Sequence, residues 1–379
     1  MKTVYLDYGA ATPLDPRVLQ RMQPFLTEQF YNPSANYQPA LDVRVAVEAA
    51  KSEIAHILGV KSSEIIMTSG GTESNNLVIR GVMDAHPGAT MLVSSIEHDS
   101  VKQPANLYQA ESVAVDEKGL LNLEELRSKL DGTVVLVSVM HANNEIGTIQ
   151  PLRKISQILE AERIRRKQKG IVLPLYLHSD ACQAVNYLDT HAHTLGVDLL
   201  TINGGKIYGP KQAGCLFIDS HVVLQPQILG GSQQRSIRSG TENPAQVVGL
   251  AEALKITTSL RDKEVKRLQE LQTYLFEKLE TELPQVTING SKKHRLPNNV
   301  NITIPGVHNE RLLIQLEEHG ILASAGSACK AASGEASHTL QAIGLSPEKA
   351  NSSIRVTLGR SNTKSDIDLF LDCLSKLLA

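Results

Sequence analysis

No stretch of the 379 residues is long and uncharged enough to span a bilayer, and the opening MKTVYLDYGAATP holds no apolar leader core. A cytoplasmic protein without a membrane segment is therefore expected. Excess charge is also missing. The 38 Lys and Arg residues stand against 40 Asp and Glu, a formal net charge of -2. Neither direct nucleic-acid binding nor an anionic membrane surface is indicated. Cysteine is scarce: Cys182, Cys215, Cys329 and Cys373 lie far apart with no Cys-x-x-Cys. That spacing argues against a disulfide framework and against a structural metal site. In a reducing compartment, a cysteine that matters is then a reactive one. Internal repeats, low-complexity segments and a flexible linker are missing as well.

What remains is an ordinary globular composition, 41% hydrophobic and 21% charged, long enough for a large core and two domains. Short β-branched runs at 64–69, 90–95, 134–141, 171–180, 199–203 and 213–218 predict strands. Amphipathic runs between them at 41–58, 73–83, 123–130 and 152–169 predict helices. This alternation predicts an α/β fold with a mainly parallel sheet. The basic run from Arg163 to Lys169 ends a helix, where cations suit the helix dipole. After about residue 255 the pattern changes. A long helix at 259–283, a strand at 299–304, a helix at 310–319, a small-residue loop at 323–333, a strand at 353–358 and a helix at 364–378 predict a smaller α+β domain.

Several groups fall at expected strand ends, where open α/β sheets bind ligands. Ser69-Gly70-Gly71-Thr72-Glu73-Ser74 leads from a strand into a helix. It suits an anion cradle built on helix amides, or an ordinary capped turn. His98 follows another strand and reads as structural or catalytic. Asn143-Asn144 places paired amides at a third, and buried amides must find partners. Asp180 ends an apolar strand and reads as the partner of a cation or as a helix cap. Lys206 stands in Asn203-Gly204-Gly205-Lys206, a turn whose glycines permit close approach. A phosphate cradle, a strand-end carboxylate and a strand-end lysine together match the needs of pyridoxal phosphate. The lysine holds the cofactor as a Schiff base and the carboxylate keeps its ring nitrogen protonated. Farther on, Cys329 sits in a Gly/Ser/Ala loop beside Lys330, which favours thiolate, or it is an incidental surface cysteine. Arg355, in an apolar strand, calls for a carboxylate of the protein or of a substrate.

Taken together, these motifs resemble cysteine desulfurases of the NifS/IscS type, within the class V aminotransferase fold. The resemblance runs through Tyr5-Leu6-Asp7-Tyr8, Asn32-Pro33-Ser34, Gly70-Gly71-Thr72-Glu73-Ser74, Glu97-His98 and Asn143-Asn144-Glu145-Ile146-Gly147. It continues in Asp180, Lys206-Ile207-Tyr208-Gly209-Pro210-Lys211, Arg238-Ser239-Gly240-Thr241, Ser327-Ala328-Cys329 and Ser352-Ser353-Ile354-Arg355. It implies a fold-type-I architecture with a seven-stranded sheet, a large cofactor-binding domain at 16–255, and a small domain from 1–15 and 256–379 carrying the cysteine loop.

The implied chemistry is removal of sulfur from L-cysteine, giving alanine and a persulfide on Cys329, for iron–sulfur assembly or tRNA thiolation. Lys206 would hold the cofactor, and His98 would stack on its ring and move protons. Asp180 would pair with the ring nitrogen, and Asn144 and Gln183 would bond the ring-oxygen side. Gly71 and Thr72 would hold the phosphate, and Thr241 would reach that of a homodimer partner. Asn32 and Arg355 would take the substrate carboxylate, and a sulfur-acceptor protein would complete the transfer. Selenocysteine lyase, another class V enzyme, or an inactive or partner-dependent homologue are the alternatives. The chain departs from the family pattern at four places. Asn203-Gly204-Gly205 replaces Ser-Gly-His, Tyr37 replaces His, Gln212 replaces Gly, and Lys330 replaces Thr or Ser. The first predicts weaker phosphate anchoring, with Asn203 and the Gly205 N–H as the remaining donors.

Overall fold

Residues 3–326 and 336–378 are described by the computed structural model. The strands are β1 (Val4–Tyr5), β2 (Ile65–Thr68), β3 (Thr90–Ser94), β4 (Ala110–Val113), β5 (Val134–Ser138) and β6 (Tyr176–Asp180). They continue as β7 (Leu199–Asn203), β8 (Gly214–Ile218), β9 (Thr287–Ile288), β10 (Asn299–Thr303), β11 (Ile321–Leu322) and β12 (Ser353–Thr357).

Seven of them form one sheet in the order β2-β8-β7-β6-β5-β3-β4. The run from β4 to β7 is parallel, and β8 is antiparallel to both of its neighbours. β2 therefore points the same way as the parallel strands. Six strands deliver their carboxyl ends to one edge. Strands β2, β5, β6 and β8 are buried along their whole length, as expected for a sheet covered on both faces. Burying each large aliphatic side chain there contributes about 1.5–3 kcal/mol.

The expected strand at 171–180 shortens to Tyr176–Asp180. Its first half contains Pro174, which has no N–H to give to a ladder. β4 escaped the periodicity because it is an edge strand with Glu111 and Ser112 exposed. The long helix begins earlier than expected and spans Pro244–Glu282, so residue 255 lies in its interior. Asn243 starts it by accepting the Gln246 N–H, with Pro244 at the first helical position.

A second sheet has the antiparallel order β12-β10-β9. The first residues join this region. β1 pairs in parallel with β11, and Asp7 bridges to Thr357. Ser324 pairs with Arg355 through two backbone hydrogen bonds, at 3.2 and 2.6 Å. The N-terminal segment thus lies between the strand carrying Arg355 and the edge of the large sheet.

Candidate active site

A cavity of about 240 Å³ lies at that edge. Its wall includes Gly71, Thr72, His98, Asn144, Asp180, Gln183, Asn203, Lys206 and Arg355, residues drawn from six separate segments. Gly9, Ala10, Ser100, Met140, Ala142 and Cys182 complete it. Topology explains the convergence: each strand of a parallel set ends on the same edge and hands its following residues to the crevice.

Lys206 closes a short turn, Gly204–Lys206, that follows β7. A Cβ at Gly204 would stand 2.9 Å from the Pro210 carbonyl and 3.0 Å from that of Ala213, so no side chain fits there. The Lys206 Nζ donates to the carbonyls of Gly9 at 3.0 Å and Ala10 at 2.5 Å. Burial holds its pKa below the ordinary lysine value, and the charge of Arg355 acts in the same direction. Both effects favour a neutral amine, the form that can act as nucleophile or base.

Asp180 ends β6 with both oxygens engaged. Oδ1 accepts the Cys182 N–H at 2.9 Å and Oδ2 accepts Asn75 Nδ2 at 2.7 Å. Asp180 lines the cavity, where a carboxylate suits a protonated nitrogen. His98 caps the helix Asp99–Ala105, its Nδ1 accepting the Ser100 N–H at 3.1 Å. Its neighbour Glu97 is fully buried and accepts the Met140 N–H at 2.5 Å. Burial pushes its carboxyl well above the usual range. Glu97 is therefore part of the framework, outside the cavity wall.

The paired amides divide their work. Asn143 is buried and saturated by backbone: it donates to Ile96 and accepts from Glu145 and Ile146 at 2.8–2.9 Å. Asn144 faces the cavity. Gln183 donates to the Gly9 carbonyl at 2.9 Å. Arg355 is buried on β12. Its Nη1 donates to the Asn144 carbonyl at 2.9 Å, its Nη2 to Asp7 Oδ1 at 2.6 Å, and its Nε has no partner. A buried guanidinium with one donor left over is suited to a further acceptor, such as a carboxylate.

Not every expected residue reaches the wall. The Gly205 N–H donates to Asn203 Oδ1 at 3.0 Å, and its carbonyl accepts from Thr12. The donor expected to serve phosphate is thus taken up as a cap. Asn32 and Thr241 are exposed and lie outside the wall. Cys329 lies outside the described residues, as does Lys330. Sequence reasoning missed Asp7, Gly9 and Ala10 as wall and anchor groups, although Asp7 falls in a quoted motif. It also missed Asn75, Ser100 and Cys182, for which polar residues beside recognised ones were the only signal. Among the described residues no cluster of His, Cys, Asp and Glu could hold a metal ion, and no helix is long and apolar enough to cross a membrane.

Fold and cavity together define a class V aminotransferase, and the chain belongs to that family: the Aminotransferase class-V pattern matches residues 4–370. Members of this family depend in general on pyridoxal phosphate. Among curated relatives, the cysteine desulfurase IscS of Dictyoglomus turgidum is 40% identical, covering 100% of this chain and 95% of that protein. Cysteine desulfurase IscS 1 of Archaeoglobus fulgidus is 38% identical over 98% of this chain and 95% of its own length. Among solved structures, a NifS-like protein from Rickettsia africae superimposes with a TM-score of 0.88 at 31% identity, covering 99% of both chains.

The cavity fits the cofactor of the family. Gly71 and Thr72 open the helix Gly71–Ala85, whose first amides have no intrahelical partner and favour an anion. A Cβ at Gly71 would stand 2.8 Å from Cys182 Sγ, so this end of the cradle is shaped by the lack of a side chain. Across the cavity stand the Asp180 carboxylate and the Lys206 amine.

Proposed function

We propose that this chain is a cysteine desulfurase that takes sulfur from L-cysteine and releases alanine. One observation carries this reading: Lys206, Asp180 and the buried Arg355 line one cavity. That set serves an amino acid bound by its carboxylate beside a pyridoxal ring. Relatives named cysteine desulfurase, spanning the full chain, favour it over a selenocysteine lyase or an inactive homologue.

Bound pyridoxal phosphate supplies an electron sink for negative charge developing at a substrate α-carbon. Lys206 would hold the cofactor covalently, and its free amine would be the base for the α-proton. The Gly9 and Ala10 carbonyls receive its ammonium afterwards. Asp180 would pair with the ring nitrogen, and His98 would lie over the ring. Asn144 and Gln183 would offer amides to its oxygen side, while Gly71, Thr72 and Asn203 would hold phosphate at the helix end. Arg355 takes the L-cysteine carboxylate through its guanidinium, with Asp7 and the Asn144 carbonyl fixing its plane. Asn32, exposed and outside the cavity wall, would complete that grip.

Cys329 receives the sulfur. In sequence Cys329 lies five residues after Ser324, whose backbone pairs with that of Arg355. Its thiolate takes the substrate sulfur as the substrate carbon–sulfur bond breaks, leaving a persulfide on Cys329 and alanine as the other product. A sulfur-acceptor protein, an iron–sulfur scaffold or a tRNA-thiolation enzyme, then collects the sulfur. A homodimer would place Thr241, exposed in this chain, at the phosphate of the neighbouring site.

The test is mass spectrometry of cofactor-loaded protein after L-cysteine, with alanine measured in parallel. Wild type gains one sulfur on the peptide containing Cys329, and Cys329→Ala gains none while keeping its cofactor. Undiminished desulfuration by Cys329→Ala would remove the acceptor role.

A further inference from the structure

Asp180 and His98 arrive from different strands, yet their side chains are joined. Asn75, completely buried inside the helix Gly71–Ala85, donates from one Nδ2 to Asp180 Oδ2 at 2.7 Å and to Ser100 Oγ at 2.8 Å. Ser100 Oγ in turn lies 2.8 Å from His98 Nδ1. The direction of each bond follows from chemistry. A carboxylate only accepts, so the Asn75 amide must turn its NH2 toward Asp180. Its Oδ1 is left buried and unpaired, a cost the opposite orientation would exceed by setting oxygen against carboxylate. Both Asn75 hydrogens are then used, and Ser100 Oγ receives the second. The Ser100 backbone N–H can only donate, and it donates to His98 Nδ1. Nδ1 is therefore an acceptor, and the Ser100 hydroxyl proton points to it as well.

We propose that Asn75 and Ser100 are positioning residues: they bridge Asp180 to His98 and hold His98 with Nδ1 bare and its proton on Nε2, directed into the cavity. The ring-nitrogen partner and the ring-covering histidine then form one hydrogen-bonded unit. A change of charge on Asp180 is transmitted to His98 through two fixed side chains. The meaning of the bridge for catalysis rests on the function proposed above, whereas the bonding itself does not.

The experiment reads the His98 ring directly in cofactor-free protein. Nitrogen-15 spectra of histidine-labelled wild type are compared with those of Ser100→Ala, Asn75→Leu and Ser100→Thr, and His98→Gln supplies the assignment. Wild type shows one neutral form of His98, with bare Nδ1 and protonated Nε2. Ser100→Ala and Asn75→Leu keep that tautomer, which the backbone N–H of position 100 still fixes, but shift the His98 Nδ1 resonance as the hydroxyl donor is removed or released, and Ser100→Thr, which keeps the hydroxyl, restores the wild-type position. In loaded protein, Asn75→Leu lowers turnover about tenfold, the size expected for a lost hydrogen bond to a charged group, and the pH profile of turnover changes shape. An unaltered His98 Nδ1 resonance in both Ser100→Ala and Asn75→Leu, with the fold intact, would overturn the bridge. Failure of wild type to bind pyridoxal phosphate while the ring pattern responds as expected would overturn the functional reading and leave the bridge standing.

Discussion

The two ends of the cavity are built in different ways. At the Asp180 end, both carboxylate oxygens and the Ser100 hydroxyl are held by neighbouring groups: the Cys182 N–H, Asn75 and His98. At the helix end, the wall is Gly71, Thr72 and Asn203, and Asn203 spends its carbonyl oxygen on the Gly205 N–H. The contrast reflects what each end must do. Moving protons requires one tautomer and one orientation, and only packed, hydrogen-bonded side chains fix those. Holding a phosphate requires partial positive charge spread over several amides, and no single donor is indispensable. Asn203-Gly204-Gly205 departs from the family pattern at the tolerant end.

The sharpest way to break this comparison is to remove one residue from each end. Asp180→Ala strands the Asn75 amide and the Cys182 N–H in a buried site and deletes the charge facing the ring nitrogen. It should lower kcat roughly 100-fold or more even with saturating cofactor. Asn203→Ala should instead raise the cofactor dissociation constant only a few-fold and leave kcat at saturation near wild type. Turnover measured across a cofactor titration separates the two effects. Equal losses in both variants would show that the ends do not differ.

Acid titration sharpens the comparison from the side of stability. His178, two residues before Asp180, bonds Ser138 Oγ and Thr201 Oγ1, and burial lowers its pKa to about 4. His141, near the end of β5, is lowered to about 4 for the same reason. An unfolded histidine titrates near 6.5, so between about pH 6.5 and 4 the unfolded chain binds more protons than the folded one. Stability is full above that window and is lost as pH falls through it, by about 2 kcal/mol for each histidine between pH 6.5 and 5. Urea denaturation at both pH values checks this. His178→Gln should reduce the slope, and a flat profile in wild type would show that these rings are not held neutral.

Much of the tightly built end was legible only in part. Asp180 and Lys206 follow apolar strands, and a polar residue at such a strand end stands out. Asn75 and Ser100 sit inside helices, where a polar residue reads as a solvated face. Their contacts join positions 25 and 105 residues apart. Asp7 meets Arg355 across 348 residues, through strand pairings that periodicity cannot assign. β4 was missed because an edge strand with two exposed residues shows no buried run. The glycine end was the more readable: a Gly-rich turn before a lysine announces close approach wherever the fold places it.

The smallest effect is expected from refilling that turn. A Cβ at Gly205 would meet Lys211 Cδ at 3.2 Å, the middle of a flexible side chain, and the φ there is not in the left-handed region. A residue can therefore be added at 205, whereas at Gly204 two carbonyls exclude it. Gly205→His restores the imidazole that the family pattern carries at this position, and one added hydrogen bond to phosphate should tighten cofactor binding between a few-fold and about tenfold. The gain should appear in the cofactor dissociation rate during dialysis, with kcat at saturation unchanged, because the proton-moving end is untouched. Unchanged retention in a folded Gly205→His protein would mean that the helix amides already hold the phosphate fully, and that this departure from the family pattern carries no penalty for anchoring.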